Sequence, residues 1–109
     1  MRSILAIIFM FAVPASSGAC DWKPPLAYDY PPTVPYRLQR LTSGALNPLC
    51  DAVLVSQGFR PMGNYYGCAD MKKRRIYVLA GGTPDCREEH IIRHERAHMN
   101  GWLHPEATF

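Results

Sequence analysis

The chain has 109 residues, enough for one domain, and its formal net charge at pH 7 is +3. So mild a charge argues against a protein devoted to nucleic acids, and the basic run at residues 72–75 is more typical of a solvated turn or a protected strand edge. We therefore expect no nucleic-acid partner.

Residues 1–19 have the pattern of a secretory signal peptide. Arg2 is followed by an apolar run over residues 4–13 and by small residues up to Ala19. The run is shorter than the roughly 20 residues that a membrane-spanning helix needs. We predict cleavage before Cys20, a secreted or periplasmic protein, and no stable membrane insertion after cleavage. An uncleaved membrane anchor and a lipidated Cys20 are the alternatives.

The cysteine content predicts a disulfide-stapled domain. An even number of cysteines in a short exported chain is typical of disulfide bonds, here two. No CxxC pair is present, which disfavours a zinc–thiolate site. Three pairings remain open among the four cysteines, which are Cys20, Cys50, Cys68 and Cys86.

Residues 20–35 are rich in proline, which disfavours both a helix and a central strand. We expect an extended arm that lies over the domain and is held by Cys20. Its tryptophan and tyrosines allow a second interpretation, in which residues 21–35 bind a protein partner.

The remaining residues, 36–109, are predicted to form the folded domain. Residues 36–41 alternate apolar and polar side chains, as a half-buried strand does. Asn47 as an N-cap and Pro48 in the first turn predict a short packing helix that ends at Gly58. Residues 65–71 and 74–80 predict an antiparallel hairpin. The fold class is therefore α+β, with a short antiparallel sheet.

A last helix is predicted to start after Thr83 or Asp85 as the N-cap and to end at Asn100-Gly101. His94 and His98 then lie one turn apart on the same face of the helix. Two imidazoles at that spacing can bind one cation, and catalytic zinc takes three protein ligands and leaves a position for water.

The residues around this histidine pair suit a zinc-dependent hydrolase. Glu95 lies beside the first histidine, where its carboxylate can take a proton from zinc-activated water. Gly101 allows a left-handed turn that can bring His104 back as a third ligand. His90 is also one turn from His94, but we expect it to be exposed and outside the site.

The pattern His94-Glu95-x-x-His98-x-x-Gly101-x-x-His104 resembles the long zinc-binding consensus of the metzincin metallopeptidases. The resemblance covers these residues alone. It implies a zincin-like domain with Zn²⁺ held by His94, His98 and His104, with Glu95 as general base and acid. In that clan a cleft strand pairs with the substrate backbone, and residues 76–80 are the candidate here.

The predicted function is therefore an exported zinc-dependent peptidase that acts on peptides or proteins. The alternatives are a non-catalytic zinc-binding domain and a metal-free, disulfide-stapled interaction domain in an envelope or secreted assembly. Tyr65, Tyr66 and Tyr77 are candidates to stabilise an oxyanion, although core packing is the stronger expectation for each.

Overall fold

The structure, a computed structural model, describes residues 23–103. The predicted signal peptide, Cys20 and His104 lie outside the described residues. Within them the elements in chain order are β1 (Arg37–Leu41), α1 (Ser43–Ser56), β2 (Gly67–Asp70), β3 (Arg75–Leu79) and α2 (Glu88–Met99). The predicted α+β class is confirmed.

The three strands form one sheet in the order β1-β3-β2. β2 and β3 make the predicted antiparallel hairpin, with Cys68 opposite Tyr77. β1 instead runs parallel to β3, so the sheet is mixed and the prediction of an antiparallel sheet was wrong. An alternation of apolar and polar side chains predicts that a segment is a strand. The direction of that strand relative to its neighbour depends on how the chain connects the two. Here α1 and β2 return the chain to the end of the sheet where β1 began.

The two helices cover opposite faces of the sheet. Successive strand residues point to opposite sides, so Tyr77 packs with α1 while Ile76 packs with α2. Leu46 and Leu54 of α1 and Ile91 of α2 are almost completely buried. The active-site candidates on α2 are therefore separated from α1 by the sheet.

Helix α1 begins earlier than predicted. Thr42 is its N-cap residue and Pro48 lies inside the helix. The Asn47 side chain accepts a hydrogen bond from the backbone of Tyr65 (3.0 Å) instead of capping α1. Starting the helix at Ser43 places Leu46 on the buried face with Cys50 one turn later, and this burial outweighs the capping signal.

Helix α2 begins later than predicted, after Arg87, and no side chain caps it. The Thr83 hydroxyl instead accepts a hydrogen bond from the backbone N–H of Cys86 (2.9 Å). The loop before α2 is tight, because a Cβ atom on Gly82 would lie 2.3 Å from the Cys86 carbonyl oxygen. The predicted C-terminus is confirmed, with Asn100 as C-cap and Gly101 at φ 103°.

A disulfide joins the α1 layer to the sheet. Cys50 and Cys68 are bonded, with their Cα atoms 5.8 Å apart. Two disulfides had been expected for the whole chain. Within the described range, Cys50–Cys68 is the one disulfide between two cysteines. Cys86 is completely buried and Cys20 lies outside that range. Over residues 23–103, neither helix has the length and apolar character to cross a bilayer.

The proline-rich arm was expected to be extended, but part of it forms a turn. A turn at Pro25 is closed by a hydrogen bond from the Tyr28 backbone N–H (2.9 Å). Asp29 then forms a bidentate ion pair with Arg93 of α2. The Asn100 amide donates to the carbonyl oxygens of Tyr28 and Tyr30, at 2.9 and 2.7 Å. The arm is therefore docked along α2.

Candidate metal centre

The centre is built on the one-turn spacing of two histidines in α2. His94 is completely buried and His98 is 3% exposed. Their Nε2 atoms lie 3.0 Å apart. The helix thus brings together the two imidazoles that the sequence predicted as ligands, with the nitrogen atoms facing each other.

A backbone carbonyl orients the His98 ring. The Nδ1 atom of His98 lies 2.7 Å from the carbonyl oxygen of Trp102. Because a carbonyl only accepts hydrogen bonds, Nδ1 carries the proton and Nε2 presents a lone pair towards His94. This arrangement, in which the far ring nitrogen is held by a backbone carbonyl, is typical of histidines that bind metals through the other nitrogen.

Trp102 covers both histidine rings. Its ring stacks on His98 with centroids 5.0 Å apart and meets His94 edge-on at 5.1 Å. The left-handed turn at Gly101 returns the chain over the helix end, where the Trp102 backbone N–H donates to the Ala97 carbonyl. The turn that was predicted to bring His104 to the site thus first brings Trp102 onto it.

Glu95 lies between α2 and the sheet. Its side chain is completely buried and passes over Gly67 of β2. A Cβ atom on Gly67 would lie 3.3 Å from Glu95 Cγ and 2.9 Å from Ile91 Cγ2. Gly67 is therefore needed for α2 to approach the strand. Gly67 was not among the predicted site residues, because no turn motif in the sequence marks this glycine as necessary.

Burial makes Glu95 an unusually weak acid. Desolvation raises the pKa of its carboxyl group to about 8. Neither carboxyl oxygen has a hydrogen-bond partner among the described residues. Burying a carboxyl group without such partners costs free energy, so the position of Glu95 is not explained by its contribution to stability.

The donor set fits a zinc ion in part. Two nitrogen ligands at 2.0–2.1 Å from a tetrahedral zinc lie about 3.3 Å apart, close to the 3.0 Å between the Nε2 atoms. Within residues 23–103, no group of three ligating side chains is found. The predicted third ligand, His104, lies beyond that range. His90 is exposed, as expected.

A small apolar pocket opens beside His98. Gln57 and Phe59 from the end of α1 line one side, and Leu103 lies opposite. Ala69 and Met71 at the edge of β2 complete the lining with His98. The Gln57 amide hydrogen-bonds to the Ala69 carbonyl and the Met71 N–H, which belong to the outer edge of β2. The pocket has a volume of about 30 Å³, which is enough for a water molecule beside His98.

Of the other predicted contributors, Tyr66 packs against the core cluster on the α2 side of the sheet, and the rest lie elsewhere. Residues 76–80 cannot pair with a substrate, because β3 is the central strand and both of its edges are occupied. Among the described strands beside α2, β2 has an outer edge that pairs with no other strand, and the Gln57 amide occupies part of that edge. Tyr65 and Tyr77 pack in the core on the α1 side of the sheet, away from the histidines. The Tyr65 hydroxyl donates to Asp51 at 2.6 Å. Desolvation, followed by this hydrogen bond, raises the pKa of Tyr65.

Comparisons with known proteins found no relative. No protein-family model, no curated protein and no solved structure matches the chain.

Proposed function

We propose that the protein is a small exported zinc-dependent peptidase. His94, His98 and His104 would hold the metal, and Glu95 would serve as the catalytic base. The observation that carries the proposal is the pair of buried Nε2 atoms 3.0 Å apart on α2, with a buried Glu95 in the same turn of the helix.

Each residue would have a separate chemical task. Bound zinc would polarise a water molecule and lower its pKa to about 7. Glu95 would take the proton from that water and return it to the leaving amine, and a cation nearby would favour the charged carboxylate that a base requires. The Trp102 carbonyl would keep His98 in the ligating tautomer. The small pocket beside His98, with a volume of about 30 Å³, has room for that water molecule.

The test separates metal binding from catalysis. We expect the purified protein to contain one zinc ion and to cleave members of a mixed peptide library, with activity lost on chelation. Glu95→Gln should retain zinc and lose hydrolysis by a factor of at least about 100, as expected when a general base is removed. His98→Ala should lose the metal. His90→Ala, which removes an exposed imidazole from the same helix, is the matched control and should retain both.

Equal cleavage by Glu95→Gln and the wild type would refute the mechanism. If the wild type and every variant that keeps His98 bind zinc but cleave no peptide, the first alternative, a non-catalytic zinc-binding domain, is favoured.

One observation favours a metal-free interaction domain. The 3.0 Å separation also suits a direct hydrogen bond from His94 Nε2–H to His98 Nε2, with Trp102 stacked on the pair. In that case the histidines and Trp102 would simply close the C-terminal end of α2. A native protein that contains no zinc and cannot be reconstituted would establish this alternative.

Export and a second disulfide belong to the same proposal. Residues 1–19 would direct the chain to an oxidising compartment, in which the Cys50–Cys68 bond is stable. With these two cysteines paired, the second bond would join Cys20 to the buried Cys86 and tie the arm to the loop before α2. The protein should be purified after export from its native host. Mass spectrometry of a non-reduced digest should then show both disulfide bonds.

A further inference from the structure

A groove lined by cationic side chains lies at the start of β1 and β3, away from the histidines. Its volume is about 270 Å³, and its lining includes Arg37 of β1, Arg75 of β3 and the turn residues Lys73 and Arg74. A second hollow of about 260 Å³ adjoins it and shares Arg37 and Arg75. The groove thus occupies one end of the sheet.

The two arginines face the same side of the sheet. Arg37 and Arg75 are direct register partners on parallel neighbouring strands, so their side chains leave the same face about 5 Å apart. Like charges directly opposite each other on neighbouring strands disfavour the fold. Neither guanidinium forms an ion pair or a hydrogen bond with any residue in the described range. By contrast, Arg40 pairs with Glu88 and Arg93 with Asp29.

One acidic residue is near the groove, but it does not neutralise the arginines. Asp70 lies opposite Arg75 on β2 and is 8% exposed. Its carboxylate accepts a hydrogen bond from the backbone N–H of Lys73 (3.0 Å) and forms no ion pair with Arg75. A positive excess therefore remains over the groove.

Arg74 forms one wall of the groove in a strained conformation. Its φ of 54° is in the left-handed region, which is unusual for a residue with a side chain. Its guanidinium donates to the carbonyl oxygen of Val34 at 2.7 Å, which anchors the end of the arm beside Arg37. The sequence had suggested that the basic residues 72–75 protect a strand edge. That explanation does not apply to Arg75, because it belongs to the central strand.

We propose that Arg37, Arg75 and Lys73 bind a phosphate group. Two guanidinium forks beside each other match a tetrahedral phosphate group, whose anionic oxygens can accept hydrogen bonds from both, whereas a carboxylate is satisfied by one. The phosphate would belong either to a soluble phosphate ester or to the headgroup of an anionic lipid. The inference is independent of the zinc-peptidase proposal, since none of the groove residues lies on α2.

The experiment compares two double variants that lose the same charge. Arg37→Gln/Arg75→Gln removes the pair, while Arg60→Gln/Arg87→Gln removes two exposed arginines elsewhere. Inorganic phosphate is titrated against the thermal unfolding midpoint at low ionic strength. Cosedimentation is measured with phosphatidylcholine vesicles with and without phosphatidylglycerol. We expect phosphate to raise the midpoint of the wild type and of the control, and the groove variant to bind at least about tenfold more weakly.

Two further readouts keep the result interpretable. In phosphate-free buffer the groove variant should unfold at a higher temperature than the wild type, because the repulsion is gone. Arg37→Lys/Arg75→Lys, which keeps the charge but loses the planar forks, should bind phosphate with intermediate affinity.

The two sources of phosphate give different results. Binding to phosphatidylglycerol vesicles that free phosphate reverses assigns the groove to a lipid headgroup, and binding of free phosphate alone assigns it to a soluble ester. The proposal is overturned if neither probe binds, or if the control variant weakens binding as much as the groove variant.

Discussion

Gly67 is the residue on which the position of Glu95 depends. A methyl group there would lie 2.7 Å from the Tyr77 carbonyl oxygen and 2.9 Å from Ile91 Cγ2. We predict that Gly67→Ala lowers the free energy of unfolding by about 1–3 kcal/mol, since α2 must move away from β2. The measurement is urea unfolding followed by circular dichroism.

Gly44→Ala is the matched control for that substitution. Gly44 lies in α1, and a Cβ atom there would meet nothing within 4 Å. We expect this variant to be up to about 1 kcal/mol more stable than the wild type, because alanine is the better helix former. Equal stability of the two variants would contradict the close approach of α2 to β2.

Glu88 links three segments at the start of α2. Its carboxylate accepts hydrogen bonds from Arg40 of β1 and from the backbone N–H of Gly81, each at 2.7 Å. The hydrogen bond from Arg40, and then that from Gly81, lower the pKa of Glu88 below its usual value of 4.5. The charged form is therefore favoured in the folded protein.

The lowered pKa of Glu88 predicts how the stability of the protein depends on pH. A lowered folded-state pKa contributes stability that is complete above pH 4.5 and is lost as the pH falls through the lowered value. Glu88→Gln should therefore unfold at a lower urea concentration than the wild type at pH 7, and the difference should disappear as the pH falls through the lowered pKa of Glu88. Glu89→Gln, which removes the same charge from an exposed side chain, should show no such pH-dependent difference.

Docking of the arm on α2 depends on the Asn100 amide. Removing its two hydrogen bonds, to the carbonyl oxygens of Tyr28 and Tyr30, should free the arm from the helix. We predict that Asn100→Ala raises the rate of chymotrypsin cleavage after Tyr28 about thirtyfold, at roughly 1 kcal/mol for each of the two hydrogen bonds. Mass spectrometry of the fragments gives the rate. An unchanged rate would show that the Asp29–Arg93 pair holds the arm alone.

Asn64→Ala is the control for this measurement. In the described part of the chain, the Asn64 side chain makes one long hydrogen bond of 3.4 Å, with Asn47, and none with the arm. Its cleavage rate after Tyr28 should equal that of the wild type.

The Cys50–Cys68 bond ties the α1 layer to the sheet in a molecule with a small core. It closes a loop across a sequence separation of 18 residues. In the chain-entropy description such a loop contributes about 3 kcal/mol, so we predict that Cys50→Ala/Cys68→Ala lowers the free energy of unfolding by about that amount. Urea unfolding of the oxidised wild type and of the variant gives the difference.

The companion variant Cys20→Ala/Cys86→Ala tests the second bond. If Cys20 and Cys86 are paired, chemical reduction should destabilise this variant less than it destabilises the wild type. Equal losses on reduction would leave Cys50–Cys68 as the one bond that matters for stability.

Features that depend on local periodicity were determined by the sequence alone. The four-residue spacing of His94 and His98 places both imidazoles on one face of any helix, and the Nε2 atoms are 3.0 Å apart in the structure. The end of α2 follows from the Asn100-Gly101 pair, and the β2–β3 hairpin follows from two strand-like runs joined by a short basic turn. The order of α1, β2, β3 and α2 was accordingly predictable.

Other features were decided by tertiary structure, because they depend on residues far apart in the chain. The direction of β1 follows from the route of the chain through α1. The need for Gly67 follows from the approach of a helix that begins 21 residues later, at Glu88. Burial against β2 raises the pKa of Glu95 to about 8, and no sequence spacing encodes that burial. Local geometry thus set which groups can meet on α2, whereas packing between distant segments set the environment in which they act.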